Sequence, residues 1–161
     1  MRHATAEPGG ETDVVRELTQ RGWDDAREAG RWLADSGFAP DSALVSAARR
    51  ATSTWLAVAE GGSFEADPAY SDSLYAAGPE SVLDLVRETN DDQASLVVVG
   101  HNPTMAYLAQ LLDDGSGDAA AAREMAVGFP SGALAWFEVP GSWTDLELAG
   151  ARLVGYHVGR A

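Results

Sequence analysis

Leu96, Val97, Val98 and Val99 follow one another without a break and run into Gly100, His101, Asn102 and Pro103. No other stretch restricts the fold as much. A strand that is apolar on both faces must be covered on both, the condition of a strand inside a parallel sheet with helices on either side. Pro103 suits the first position of a helix, where its missing N–H is no loss. Ser95 to Val99 therefore reads as a strand and Pro103 to Leu112 as a helix, with Met105, Leu108 and Leu112 on its apolar face.

The rest of the chain alternates in the same way. Thr19 can cap a helix running to about Ser36, with Trp23, Ala26, Gly30 and Leu33 as its core stripe and Gly37 at its end. Ser42 to Val45 is a short buried strand, and a helix from about Ala48 to Glu60 follows. Gly, Pro, Asp and Ser are spread through Gly61 to Gly78, which reads as a long loop carrying a short strand near Phe64. Glu80 to Thr89 is an amphipathic helix. Asp113 to Asp118 is an acidic loop and Ala119 to Ala122 a helix start. Ala133 to Val139 and Ala151 to Val158 are strands around a turn at Pro140 and Gly141. A chain of 161 residues that is 45% hydrophobic can bury one sizeable core. The expectation is one domain over residues 1–161, a three-layer α/β/α sandwich with a mostly parallel central sheet.

Charge and composition exclude several functions. A net charge of −14 disfavours nucleic acid and anionic membrane surfaces as partners. All eleven cationic residues are Arg, which rules out lysine Schiff-base chemistry and a P-loop. With no cysteine there is no disulfide, thiolate metal site or thiol nucleophile. No apolar run approaches the roughly 18 residues that span a bilayer, and no signal-peptide pattern opens the chain, so a cytoplasmic protein is expected. The five Trp sit on helix and strand faces as packing residues, not as a base-stacking platform.

The chemistry is concentrated where strands hand over to helices. In open α/β sheets ligands lie at the carboxyl ends of the strands, where helix N-termini present free N–H groups to anions. His101 stands at one such junction. Ser46 to Thr54, which also follows a strand and opens a helix, contains Arg49 and Arg50. Neighbours on a helix are about 100° apart, so one arginine points inward and one outward. An inward arginine suits a phosphoryl group, because its planar fork gives bidentate, charge-assisted bonds. Arg2, His3 and Ala4 would form a third junction if a strand led into them. His157, in the last strand, reads as a sheet-surface or edge residue, and no spacing supports a metal site around it.

Taken together, Arg2-His3-Ala4, Leu18-Thr19 with Gly22, Ser46 with Arg50, Ala51 and Thr54, and Gly100-His101-Asn102-Pro103 resemble the histidine phosphatase superfamily, also called phosphoglycerate mutase-like. The short chain and the Leu-Thr and Gly-His-Asn-Pro elements are most similar to its SixA-type phosphohistidine phosphatases. Phe129 to Ala133 resembles the family's turn into its last strands. The resemblance implies that His3 attacks phosphorus as a neutral imidazole and forms a phosphohistidine intermediate. Arg2, Arg50 and His101 would hold the equatorial oxygens. By family register Arg50 faces inward and Arg49 outward, while Arg16 and Asn102 are candidate substrate-binding residues. No metal or other cofactor is implied.

Ala47 stands where the family usually has Pro, a change that leaves the Arg50 register intact. No general acid is placed by motif, and Asp72 and Glu80 are the candidates. That gap favours a phosphohistidine substrate, whose imidazole leaving group needs less protonation than an alkoxide. The expected partner is a phosphorylated protein. A small-molecule phosphomonoesterase, favoured if a carboxyl lies in the pocket, and a non-catalytic phosphate- or phosphoprotein-binding module are the alternatives. The family's apolar strand before Arg-His-Ala has only Met1 to represent it, so the resemblance implies a truncated first strand and a chain given from a late start.

Overall fold

In the structure, a computed structural model that describes residues 1–161, three parallel strands stand in the order β2-β1-β3: β1 is Ser42–Ser46, β2 Pro68–Ser71 and β3 Leu96–Val99. Ala43 pairs with Pro68 on one side and Val97 on the other. β4 (Ala133–Glu138) and β5 (Arg152–Val158) form an antiparallel pair with a bulge between Trp136 and Phe137. Met1 to Ala4 joins the two sheets. Arg2 bridges Gly100 in parallel, its N–H donates to the Ala133 carbonyl at 2.8 Å, and the Gly132 N–H donates to the His3 carbonyl at 3.1 Å.

Alternation along the parallel strands divides the core. Ala43, Val45, Val97 and Val99 meet helices α1 (Gln20–Asp35) and α2 (Arg49–Gly62) through Ala26, Ala29, Leu33, Trp55 and Val58. Leu44, Leu96 and Val98 face the other layer, built from α3 (Pro79–Arg87), α4 (Thr104–Leu112) and α5 (Ala119–Val127) through Leu83, Val86, Met105, Leu108 and Met125. The result is the expected three-layer α/β/α sandwich around a mostly parallel sheet. No helix is long and apolar enough to cross a membrane.

Several local expectations change. The helix expected to stop at Glu60 continues through Gly61 and Gly62, because α1 and α2 cross too closely for side chains. A Cβ on Gly61 would lie 2.0 Å from the Arg27 carbonyl oxygen, and one on Gly30 2.1 Å from that of Val58. Ser63, at φ 54°, then ends the helix in the left-handed region. The short strand is not near Phe64, whose ring packs on the α1/α2 core; it lies at Pro68–Ser71. Pro103 precedes the helix it was expected to open, which starts at Thr104. The start at Ala119 extends to Val127, capped by the Asp118 carboxylate on the N–H groups of Ala120 and Ala121. An apolar cleft of about 720 Å³ lies between β3 and β4 beside Met1, and neither His3, Arg50 nor His101 lines it.

Candidate active site

The carboxyl ends of β1 and β3 and the segment Met1–Ala4 point to one edge of the sheet, because all three run parallel. Three devices fix the segment that carries His3. Its N–H donates to the Gly100 carbonyl at 3.0 Å. The Ala4 N–H donates to Thr54 Oγ1 at 3.0 Å, and that hydroxyl donates to the Arg50 carbonyl one turn back in α2. Thr19 caps α1 by accepting from the Gly22 N–H at 2.9 Å and donates its hydroxyl to the Thr5 carbonyl at 3.2 Å. Gly22 completes this contact, since a Cβ there would lie 2.1 Å from the Thr5 oxygen.

These elements bring His3, Arg50 and His101 together. The two imidazole centroids are 5.1 Å apart. Arg50, only 7% exposed in its side chain, donates through Nε to His3 Nε2 at 3.2 Å and through Nη2 to His101 Nδ1 at 3.3 Å. A guanidinium has only donors, so both ring atoms facing it carry lone pairs. The protons then belong on the opposite nitrogens. His3 Nδ1–H donates to the Ala4 carbonyl at 2.8 Å, and His101 Nε2–H donates to Ser46 Oγ at 2.8 Å. Ser46 Oγ also accepts from the Ala48 N–H, so the end of β1 orients the second histidine.

Burial lowers His3 to about 4; the positive charges of Arg50, Arg2 and Arg16 add to the shift, and the bond to Ala4 opposes it. His101 is likewise lowered to about 4, first by burial and then by His3 and Arg50, against Asp13. Both imidazoles are neutral at pH 7. His3 Nε2 is thus unprotonated, with its lone pair turned toward a cationic donor.

Arg2 donates through Nη1 to the Phe129 carbonyl at 3.1 Å, and Asn102 donates through Nδ2 to the same oxygen at 2.8 Å. Arg2 Nε and Asn102 Oδ1 are buried with no partner. Arg49 points away from the histidines and pairs with Glu17 at 2.9 Å. Arg16 lies at the rim, bonded to the Glu7 carbonyl and to Asp13.

The acid candidates do not join the group: Asp72 and Glu80 are exposed and make no hydrogen bond or ion pair with it. The carboxylate that does is Asp13. Its Oδ2 accepts from Arg50 Nη2 at 2.9 Å and from the Tyr75 hydroxyl at 2.5 Å, its Oδ1 accepts from Arg16 at 2.9 Å, and its carbonyl accepts from Arg50 Nη1 at 2.6 Å. The hydrogen bonds from Tyr75 and Arg16 hold its carboxyl far below the ordinary carboxylate range, with Arg50 adding to the shift. Tyr75 also packs edge-on against His101 at 5.4 Å. Neither Asp13 nor Tyr75 stands out from the sequence, where the one local signal is the three-residue spacing of Asp13 and Arg16 in a polar stretch. His157 lies outside this group, stacked on Trp32 at 4.7 Å and bonded to Glu28 at 2.7 Å.

The chain is 41% identical over 162 residues to an uncharacterised protein of Mycobacterium tuberculosis, across 99% of this chain and 100% of that one. It is similar to a solved structure of a candidate phosphohistidine phosphatase SixA from Nakamurella multipartitia, with a TM-score of 0.86 and 31% identity over 100% of this chain and 94% of that one. A second, from Agrobacterium tumefaciens and also described as a candidate phosphohistidine phosphatase SixA, gives 0.80 and 28% over 98% and 94% of the two chains. No family model matches the chain.

Proposed function

The chain belongs to the SixA-type branch of the histidine phosphatase superfamily, and from that premise we propose that it is a phosphatase that uses His3 as nucleophile and acts on a protein phosphohistidine. The observation that carries this reading is the state of His3: neutral, with Nδ1–H tied to the Ala4 carbonyl and the Nε2 lone pair 3.2 Å from Arg50 Nε.

In the first step the Nε2 lone pair forms a bond to phosphorus as the bond from phosphorus to the leaving nitrogen breaks in line. The departing imidazole takes a proton, which its near-neutral pKa allows at pH 7 without a strong protein acid. In the second step water attacks phosphorus and gives up a proton to solvent as the bond to Nε2 breaks, so that phosphate is formed and His3 regains its lone pair. Arg50 and the unpaired Nε of Arg2 serve the equatorial oxygens, where charge spreads in the transition state. A bound dianion also favours the protonated form of His101, whose Nδ1–H would then donate to an oxygen. Arg16 would contact substrate at the rim, and Asn102 from its place beside the Phe129 carbonyl. With this positive charge supplied by arginine, the proposed reaction draws on no metal.

Asp13 is the observation that bears on a phosphomonoesterase, which needs an acid for its alkoxide leaving group. Its carboxyl is ionised and held by three donors, so it is not poised to give a proton. A panel of phosphohistidine peptides and sugar and nucleotide phosphomonoesters tests the reading. Selective hydrolysis of the phosphohistidine peptides, lost in His3→Ala, is expected. Selective hydrolysis of the phosphomonoesters would favour the small-molecule alternative, and binding without turnover the non-catalytic module.

A further inference from the structure

We propose that Asp13 is a built-in competitor that sets how tightly the site holds phosphate: its carboxylate occupies an oxyanion position on Arg50, so free phosphate must displace it and binds weakly. A phosphorylated substrate offsets that cost with contacts outside the phosphoryl pocket. This rests on the phosphatase reading above and concerns how the same site releases its product.

Arg50 has five N–H bonds to give, and Asp13 takes two of them, from Nη1 to its carbonyl and from Nη2 to Oδ2. The same Nη2 reaches His101 and the same guanidinium reaches His3, so the carboxylate sits on the fork that a phosphoryl group would use. Carboxylate and phosphoryl oxygens compete for a guanidinium by the same charge-assisted bond. Asp13 is 50% exposed in its side chain against 7% for Arg50, so it covers the arginine from the solvent side.

Tyr75 and Arg16 keep the carboxylate there. Moving it aside disturbs no core packing, since it belongs to a three-residue turn, Asp13–Val15, with no buried residue. Each round of hydrolysis leaves phosphate in the pocket, and the returning carboxylate would then help to expel it.

Titration calorimetry with inorganic phosphate tests this without turnover. Removing one charge-assisted competitor should tighten phosphate binding in Asp13→Asn by roughly ten- to a hundredfold. Tyr75→Phe, which removes one of three holds on the carboxylate, should tighten it by about tenfold, at the low end of a hydrogen bond to a charged group. In steady-state assays the inhibition constant for phosphate and KM for a phosphohistidine peptide should both fall, because both phosphoryl groups displace the same carboxylate. Phosphate binding that is unchanged or weaker in Asp13→Asn, with an unaltered melting temperature, overturns the proposal. Absence of hydrolysis by the wild type would instead count against the phosphatase reading, because the titration is independent of it.

Discussion

Replacing Arg50 by Lys keeps a positive charge in the site and removes the fork. Arg50 reaches His3 Nε2 at 3.2 Å through Nε, His101 Nδ1 at 3.3 Å and Asp13 Oδ2 at 2.9 Å through Nη2, and the Asp13 carbonyl at 2.6 Å through Nη1. A lysine ammonium on a flexible stem is a single donor centre. From the same Cα it can serve one of these positions at a time, so at least one donor to the phosphoryl oxygens is lost. A donor aimed at transition-state charge contributes about 2.7–4 kcal/mol, which sets the expected fall in kcat/KM at roughly 100- to 1,000-fold. Most of it should appear in kcat, because the charge that attracts the dianion remains. Thermal melting should register a loss of about 1–3 kcal/mol from donors and acceptors left without partners. Stopped-flow hydrolysis of a phosphohistidine peptide by both proteins gives the comparison. A variant within tenfold of wild type, or one impaired in KM alone, would refute the geometric argument.

Two further outcomes follow from the site and its support. His3 and His101 are lowered from 6.5 to about 4, so the unfolded chain takes up protons before the folded one as pH falls. Their contribution to stability is therefore full above about pH 6.5 and is lost progressively toward pH 4; urea melts at pH 7, 5.5 and 4.5 should show this order, and kcat/KM should retain its nucleophile until pH nears 4. Gly22→Ala places a methyl 2.1 Å from the Thr5 oxygen, a contact that needs about 1 Å of movement in the segment after His3; displacements of that size can cost on the order of a hundredfold in rate. Stability and kcat should fall together, and a Gly22→Ala variant with wild-type kcat would show that Thr5 does not help to aim His3.

Much of the fold could be read from local pattern because its elements are locally consistent. The Leu96 to Val99 run, the Thr19 cap and the glycine after α1 each point to the structure found. The junctions were legible for the same reason: Gly-His-Asn-Pro and Ser-x-x-x-Arg bring a strand end and a helix start into one short string. Gly61 and Gly62 read as loop, since nothing near them announces the α1 backbone that lies against Gly61 or the Phe64 ring that lies against Gly62. β2 escaped because Ala69 and Tyr70 are exposed and its alignment comes from pairing with β1, 25 residues away at Ala43 and Pro68. Asp13 and Tyr75 meet across 62 positions, and each lies in a polar stretch whose composition predicts only solvent.

The central claim is that His3 Nε2 carries the phosphoryl group between substrate and water. Rapid acid-free quenching of the protein with a phosphohistidine peptide, followed by phosphorus NMR and peptide mapping by mass spectrometry, tests it most directly. A phosphoramidate on Nε2 of His3 that forms and decays at rates consistent with kcat is expected. Turnover with no phosphoenzyme, or with the label on His101 or His157, would contradict the account.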